Sequence, residues 1–111
     1  MKNKIENQTL KEIQKKIDDW IIQHGGYWAP LSMLASIIEE LGELAREINA
    51  SEGFKPKKPT ERLINIGEEL GDLLFSVICM ANYYKIDLNK QINQIIEKYT
   101  KRDSKRFKKN D

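Results

Sequence analysis

Apolar residues recur at helical spacing in four stretches of the chain. Leu10, Ile13, Ile17, Trp20 and Ile21 lie three or four apart, which lines one face of a helix. Thr9 and Glu12 precede them in the T-x-x-E form of a capping box, and Gly25-Gly26 closes the run. His24, beside that stop, reads as a helix-end cap rather than a metal ligand. Pro30 suits the first turn of a second helix, expected over about Leu31 to Asn49. Ser51 to Pro59 reads S-E-G-F-K-P-K-K-P, a linker short enough to make its flanking helices antiparallel neighbours. Thr60 is expected to cap a third helix running to about Tyr84 and almost wholly apolar after Asp72. Asp87 is the natural cap of a fourth, with Leu88, Ile92, Ile95, Ile96 and Tyr99 as its inner stripe. The pattern predicts an all-α, four-helix bundle-like protomer.

Two of these helices contain nearly the same nine residues. Ile37 to Ala45 is I-I-E-E-L-G-E-L-A, and Ile66 to Leu74 is I-G-E-E-L-G-D-L-L. Six of the nine positions are identical, and a seventh exchanges Glu43 for Asp72. On a helical projection of ~100° per residue, Ile37, Leu41, Leu44 and Ile48 share one sector with Glu40 and Glu43 along its border. Ile66, Leu70, Leu73 and Val77 repeat that arrangement beside Glu69 and Asp72. If the two stripes pack together, the acidic borders meet. Gly costs ~1 kcal/mol in a helix interior. Gly42 and Gly71, at equivalent places, are therefore expected to mark a close backbone approach.

Converging carboxylates repel, and desolvation worsens the repulsion. A divalent cation relieves both. An all-carboxylate donor set without His or Cys favours a hard ion, Mg²⁺ or Mn²⁺. The competing reading of a single E-E-L-G-E segment is a solvated helix face, and the duplication beside two apolar runs weighs against it.

The 111 residues make one domain, 1–111, with a core of about 9–106 and a basic tail of about 103–111. With 40% hydrophobic and 32% charged residues the composition is that of a globular chain. Its modest core and multiply striped helices point to an oligomer. The single Cys79 sits in an apolar run and excludes an intramolecular disulfide framework. The apolar stretches are too short for a membrane span, so a cytoplasmic location is expected. Tyr27-Trp28-Ala29-Pro30 is a loop with two readings. Its rings cover the end of the bundle, or one of them stacks on a nucleobase.

E-E-x-x-E at Glu39–Glu43, followed by E-x-x-D at Glu69–Asp72, resembles the MazG-like nucleotide pyrophosphohydrolases of the all-α NTP pyrophosphatase superfamily. The resemblance runs from about Leu31 to Arg102. It implies hydrolysis of a nucleoside triphosphate to the monophosphate and pyrophosphate, in the role of nucleotide-pool house-cleaning. Mg²⁺ would be held by Glu40, Glu43, Glu69 and Asp72. Glu39 or Glu43 would serve as proton acceptor, with a supporting role equally open for Glu39. Lys98 and Arg102, four apart in the last helix, match the Lys and Arg that contact the triphosphate in the family. Trp28 would meet the base. A homodimer or homotetramer is implied.

Other readings fit less of the chain. Relatives acting on phosphoribosyl-ATP or dUTP remain open, since base and sugar preference are not written in these motifs. A carboxylate-bridged di-iron bundle needs E-x-x-H on paired helices, and His24 is far from both acidic motifs. From Lys101 onward the chain carries six basic and two acidic residues, which suits a helical nucleic-acid-binding module. That reading leaves the duplicated acids unexplained, and they would repel nucleic acid.

Overall fold

The computed structural model describes residues 8–52 and 59–106. Among them are four helices: α1 (Leu10–Gln23), α2 (Pro30–Glu52), α3 (Pro59–Tyr83) and α4 (Leu88–Arg106).

The boundaries follow from local chemistry. The amide of Glu12 donates to Thr9 Oγ1, and the amide of Thr9 donates to Glu12 Oε1, which completes the capping box of α1. These bonds hold the Glu12 carboxyl below its ordinary range. At the other end His24 is the C-cap, and the Gly26 amide reaches back to the Ile21 carbonyl at 2.9 Å. Gly25 (φ +111°) and Gly26 (φ +90°) take a backbone conformation that a side chain would strain. Asp87 caps α4 as expected, its Oδ1 accepting from the Lys90 amide.

Two limits differ from expectation. α3 starts at Pro59, so Thr60 lies inside the helix rather than capping it. Proline suits the first helical position because its missing N–H would have no partner there. α2 runs three residues past Asn49, into the stretch read as a linker. The linker lysines 55, 57 and 58 lie outside the described residues.

The principal packing is α2 against α3, with α1 laid on α3 and α4 on α1. Ile78, Cys79 and Ala81 of α3, with Met33 and Leu44 of α2, form the buried apolar core. The polar Gln14 is buried at the heart of the α1 contact, 7% exposed. Its Nε2 donates to Asn82 Oδ1 at 3.0 Å and to the Ile86 carbonyl at 2.9 Å, and its Oε1 accepts from the Leu88 amide. Asn82 Nδ2 returns a bond to the Gln14 carbonyl. One side chain thus ties α1 to the end of α3, to the turn holding the left-handed Lys85 (φ 56°) and to the start of α4.

The packing face of α2 and α3 is rotated from the centre of their apolar stripes toward the acids. Met33, Leu44 and Ser51 are buried, while Leu41 is 53% exposed. The equivalent residue of α3, Leu70, is 50% exposed. The stripes are wider than one helix–helix contact, so half of each faces outward. The expected close approach at Gly42 and Gly71 is overturned within the protomer: a Cβ at either position meets nothing within 4 Å. The expected inner stripe of α4 is also corrected, because Ile92, Ile95, Ile96 and Tyr99 are all exposed.

Candidate active site

The rotation brings the acids into the helix contact. Glu40, Glu43 and Glu69 each offer a carboxylate oxygen within 4.8 Å of the others. Glu40 and Glu69 are half-buried and Glu43 lies open at the mouth. Asp72 stands outside that group, but its charge acts on both Glu40 and Glu69. Glu39 is exposed and bears on Glu40 only through its charge. Desolvation, then the Glu43, Asp72 and Glu39 charges, push the Glu40 carboxyl upward. Glu69 is raised by desolvation first, then by Glu43 through charge and a hydrogen bond, then by Glu40 and Asp72.

Glu40 Oε2 and Glu69 Oε2 are buried without a hydrogen-bond partner. A buried carboxylate oxygen without a donor is costly. Two such oxygens in one cluster of acids form a donor set suited to a hard divalent cation. The residues present fit such an ion.

The near-repeat puts equivalent acids on both helices, and the residues one turn away differ between the two flanks. One turn from Glu43 and Glu69 stand Glu47 and Asn65, joined by a 3.2 Å hydrogen bond. One turn from Glu40 and Asp72, in the opposite sense, stand Ser36 and Ser76. Both serines line a cavity of about 360 Å³ with Trp20, His24, Trp28, Phe75 and Cys79. The site is therefore bridged by polar side chains on one flank and opens into an aromatic pocket on the other. A shallower hollow of about 440 Å³ on the bridged flank is lined by Glu43, Glu69 and Arg46 among others.

The pocket lies where the end of α1 and the α1–α2 loop meet α2 and α3. Trp20 and His24 stack at 4.1 Å, and Phe75 meets Trp20 edge-on at 6.0 Å. The two loop aromatics differ in their surroundings. Tyr27 Oη donates to Asp18 Oδ1 at 2.5 Å, and its ring meets Tyr83 edge-on. Burial first, then the bond to Asp18, raises the phenol above its ordinary range. Tyr27 is structural. Trp28 is 67% exposed on the pocket wall.

Lys98 and Arg102 are elsewhere. Both lean over the Tyr99 ring, at 5.2 and 4.7 Å, and Arg102 forks onto Asp103 at 2.9 and 3.1 Å. Among the described residues neither pairs with an acid of the cluster. The sequence pattern does not mark Ser36 and Ser76, which carry no charge, the Glu47–Asn65 bridge or Asp103. Their signal was present only as spacing of one turn from, or adjacency to, the motif residues.

The MazG nucleotide pyrophosphohydrolase domain model matches residues 29–107. The chain belongs to this family and is a hydrolase acting on nucleotide pyrophosphate bonds. The Bacillus subtilis (strain 168) protein YpjD, itself described as uncharacterized, is 44% identical over 102 residues, covering 91% of this chain and 92% of its own. The crystal structure of the Bacillus-conserved MazG protein, a nucleotide pyrophosphohydrolase, is similar with a TM-score of 0.71 and 44% identity, covering 83% of this chain and 89% of that one. The crystal structure of YpjD from Bacillus subtilis gives a TM-score of 0.75 at 45% identity, covering 84% and 96%. No described helix is long and apolar enough to cross a membrane.

Proposed function

We propose that the chain hydrolyses a nucleoside or deoxynucleoside triphosphate to the monophosphate and pyrophosphate, using Mg²⁺ held by Glu40, Glu43, Glu69 and Asp72, with Mn²⁺ as substitute. The observation that carries this reading is the pair of donor-less buried oxygens on Glu40 and Glu69, two acids whose carboxylates, with that of Glu43, come within 4.8 Å of one another. A bound ion would offset the carboxylate charge, bind phosphate oxygens and acidify a water.

The flanks of the cluster give the substrate a direction. The base enters the aromatic pocket and stacks on Trp28. Ser36 and Ser76 offer hydroxyls where the pocket meets the acids. The phosphates run past the acids toward Arg46. Water attacks phosphorus, the anhydride between the α- and β-phosphates breaks, and pyrophosphate leaves. The water's proton passes to a carboxylate at the open side, Glu43 or Glu39. Lys98 and Arg102 stabilise charge on the leaving group.

The working unit is a homodimer or homotetramer, and the role is house-cleaning of the cytoplasmic nucleotide pool. A panel of canonical and damaged nucleoside triphosphates, with dUTP and phosphoribosyl-ATP, tests the reading by pyrophosphate release with Mg²⁺. Release from at least one, abolished by chelation, is expected. Orthophosphate as sole product, or no turnover of any member, overturns it.

A further inference from the structure

His24 closes α1 and also lines the aromatic pocket. Its Nδ1 lies 2.6 Å from the Trp20 carbonyl, one of the last acceptors of α1. A carbonyl oxygen can only accept, so Nδ1 carries the proton. In the neutral ring Nε2 then has no hydrogen and is an acceptor. The stack on Trp20, with centroids 4.1 Å apart and planes 22° from parallel, fixes the ring plane as the hydrogen bond fixes the tautomer. Phe75 of α3 backs Trp20 edge-on. Among the described residues no group donates to Nε2.

The other polar side chains of the lining do not duplicate this acceptor. The indole N–H groups of Trp20 and Trp28 only donate. The Tyr27 hydroxyl is committed to Asp18. Cys79 is a buried thiol whose pKa burial pushes up, and a thiol accepts weakly. Ser36 and Ser76 come from α2 and α3, one turn from Glu40 and Asp72, so their hydroxyls belong to the end of the pocket nearest the acids. His24 and Trp28 come from the α1 end and the following loop. The cavity, about 360 Å³, is within the range of small-molecule sites.

We propose that His24 reads the base: Nε2 accepts a hydrogen bond from the exocyclic amino group of adenine or cytosine while Trp28 stacks on the ring. The substrate class is then the nucleotides that carry an amino group at the Watson–Crick edge where hypoxanthine, guanine, uracil and thymine carry a carbonyl. A carbonyl would bring acceptor against acceptor, and both would leave water without gaining a donor. The proposal rests on the pyrophosphohydrolase reading above for the reaction, and on the fixed ring of His24 for the selectivity.

Two amide substitutions separate this role from helix capping. Asparagine can place an N–H where Nδ1 stands but has nothing at the Nε2 position. Glutamine reaches the Nε2 position with a carbonyl oxygen and gives up the bond to Trp20. At about pH 8, where imidazole is neutral, the wild type should favour dATP over dITP, and dCTP over dUTP, about tenfold or more in kcat/KM. His24→Asn should bring both ratios near one by loss on the amino members, and His24→Gln should recover most of that loss. A ring that only caps α1 predicts the reverse: asparagine harmless, and glutamine lowering Tm and slowing all four substrates alike. Wild-type ratios near one, or ratios unchanged in His24→Asn, overturn the proposal. Quenching of indole fluorescence by AMP against IMP, and by CMP against UMP, reads the same preference without hydrolysis. Should no triphosphate be turned over, the enzymatic reading fails, while tighter binding of AMP and CMP, lost in His24→Asn, still upholds the base reading. Equal affinity for the paired monophosphates overturns it whatever the turnover.

Discussion

Glu40 and Glu69 occupy the same position in the two copies of the near-repeat, and each buries its Oε2 without a donor. Neither oxygen has a hydrogen-bond partner in the protein, and the charges of the surrounding acids push both carboxyls upward. The fold maintains this arrangement against its own stability, as expected of a site built for a cation.

Replacing either acid by its amide should therefore separate activity from stability. Glu40→Gln or Glu69→Gln removes a desolvated charge from a repulsive cluster, so the metal-free Tm should hold or rise. Turnover should fall by orders of magnitude. Mg²⁺ should raise the Tm of the wild type by selective binding to the folded state and leave these variants nearly unmoved. Full pyrophosphate release by both variants would reject the assigned ligands.

The two carboxyls also set a pH dependence for the metal-free protein. Both are raised from 4.5 in the folded state. Between the ordinary and the raised value the folded chain holds more protons than the unfolded chain, so unfolding free energy falls as pH rises. Their destabilising contribution is absent below the ordinary glutamate range and complete above the raised values. Denaturant midpoints measured across this window in chelator should decline with pH, and the slope should vanish in the Glu40→Gln, Glu69→Gln double variant. Metal affinity should run the other way, since the ion competes with those protons.

The acidic cluster was legible in the sequence because chemistry and period coincide there: two acids three apart, twice, beside apolar stripes. The helix count and most limits were legible from Thr9, Gly25-Gly26, Pro30 and Asp87, whose effects are local. What was hidden depends on which neighbour covers a face. Periodicity places Leu41 and Leu70 on apolar stripes, yet cannot say that each stripe spans both a contact and an open side. Gln14 reads as one polar residue on a mostly charged helix flank; its four hydrogen bonds link positions 68 to 74 residues apart. Ser36 and Ser76 gain significance only from the void between them.

Gln14 carries a stability test. Gln14→Met keeps the volume but leaves Asn82 Oδ1, the Ile86 carbonyl and the Leu88 amide without their partner. Unsatisfied buried groups make this cost on the order of 3 kcal/mol. Chemical denaturation should register it, whereas Lys15→Met, which breaks only the exposed pair with Asp19, should change stability by less than ~1 kcal/mol.

The neighbouring aromatics should separate by kinetics. Trp28→Ala removes the exposed stacking face and should raise KM while leaving the acids and kcat largely intact. Tyr27→Phe deletes the hydroxyl bonded to Asp18 and should lower Tm first, at a cost of ~1–3 kcal/mol. Equal KM effects from the two would place the base outside the pocket they border.

Arg102 distinguishes triphosphate recognition from simple charge attraction. Its guanidinium presents a planar fork, already used on Asp103 and backed by the Tyr99 ring. A phosphate takes the same fork bidentately, and Lys offers only a point charge. Arg102→Lys should therefore reduce kcat/KM roughly ten- to a hundredfold, the ~1.5–3 kcal/mol of a charge-assisted contact. Truncation after Phe107 removes Lys108 and Lys109 and should cost much less. Attraction of nucleic acid by the basic end predicts the reverse order, because nonspecific phosphate binding counts charges rather than forks. Both variants belong in one pyrophosphate assay, with and without competing nucleic acid. A harmless Arg102→Lys beside a crippling truncation removes Arg102 from the phosphate site.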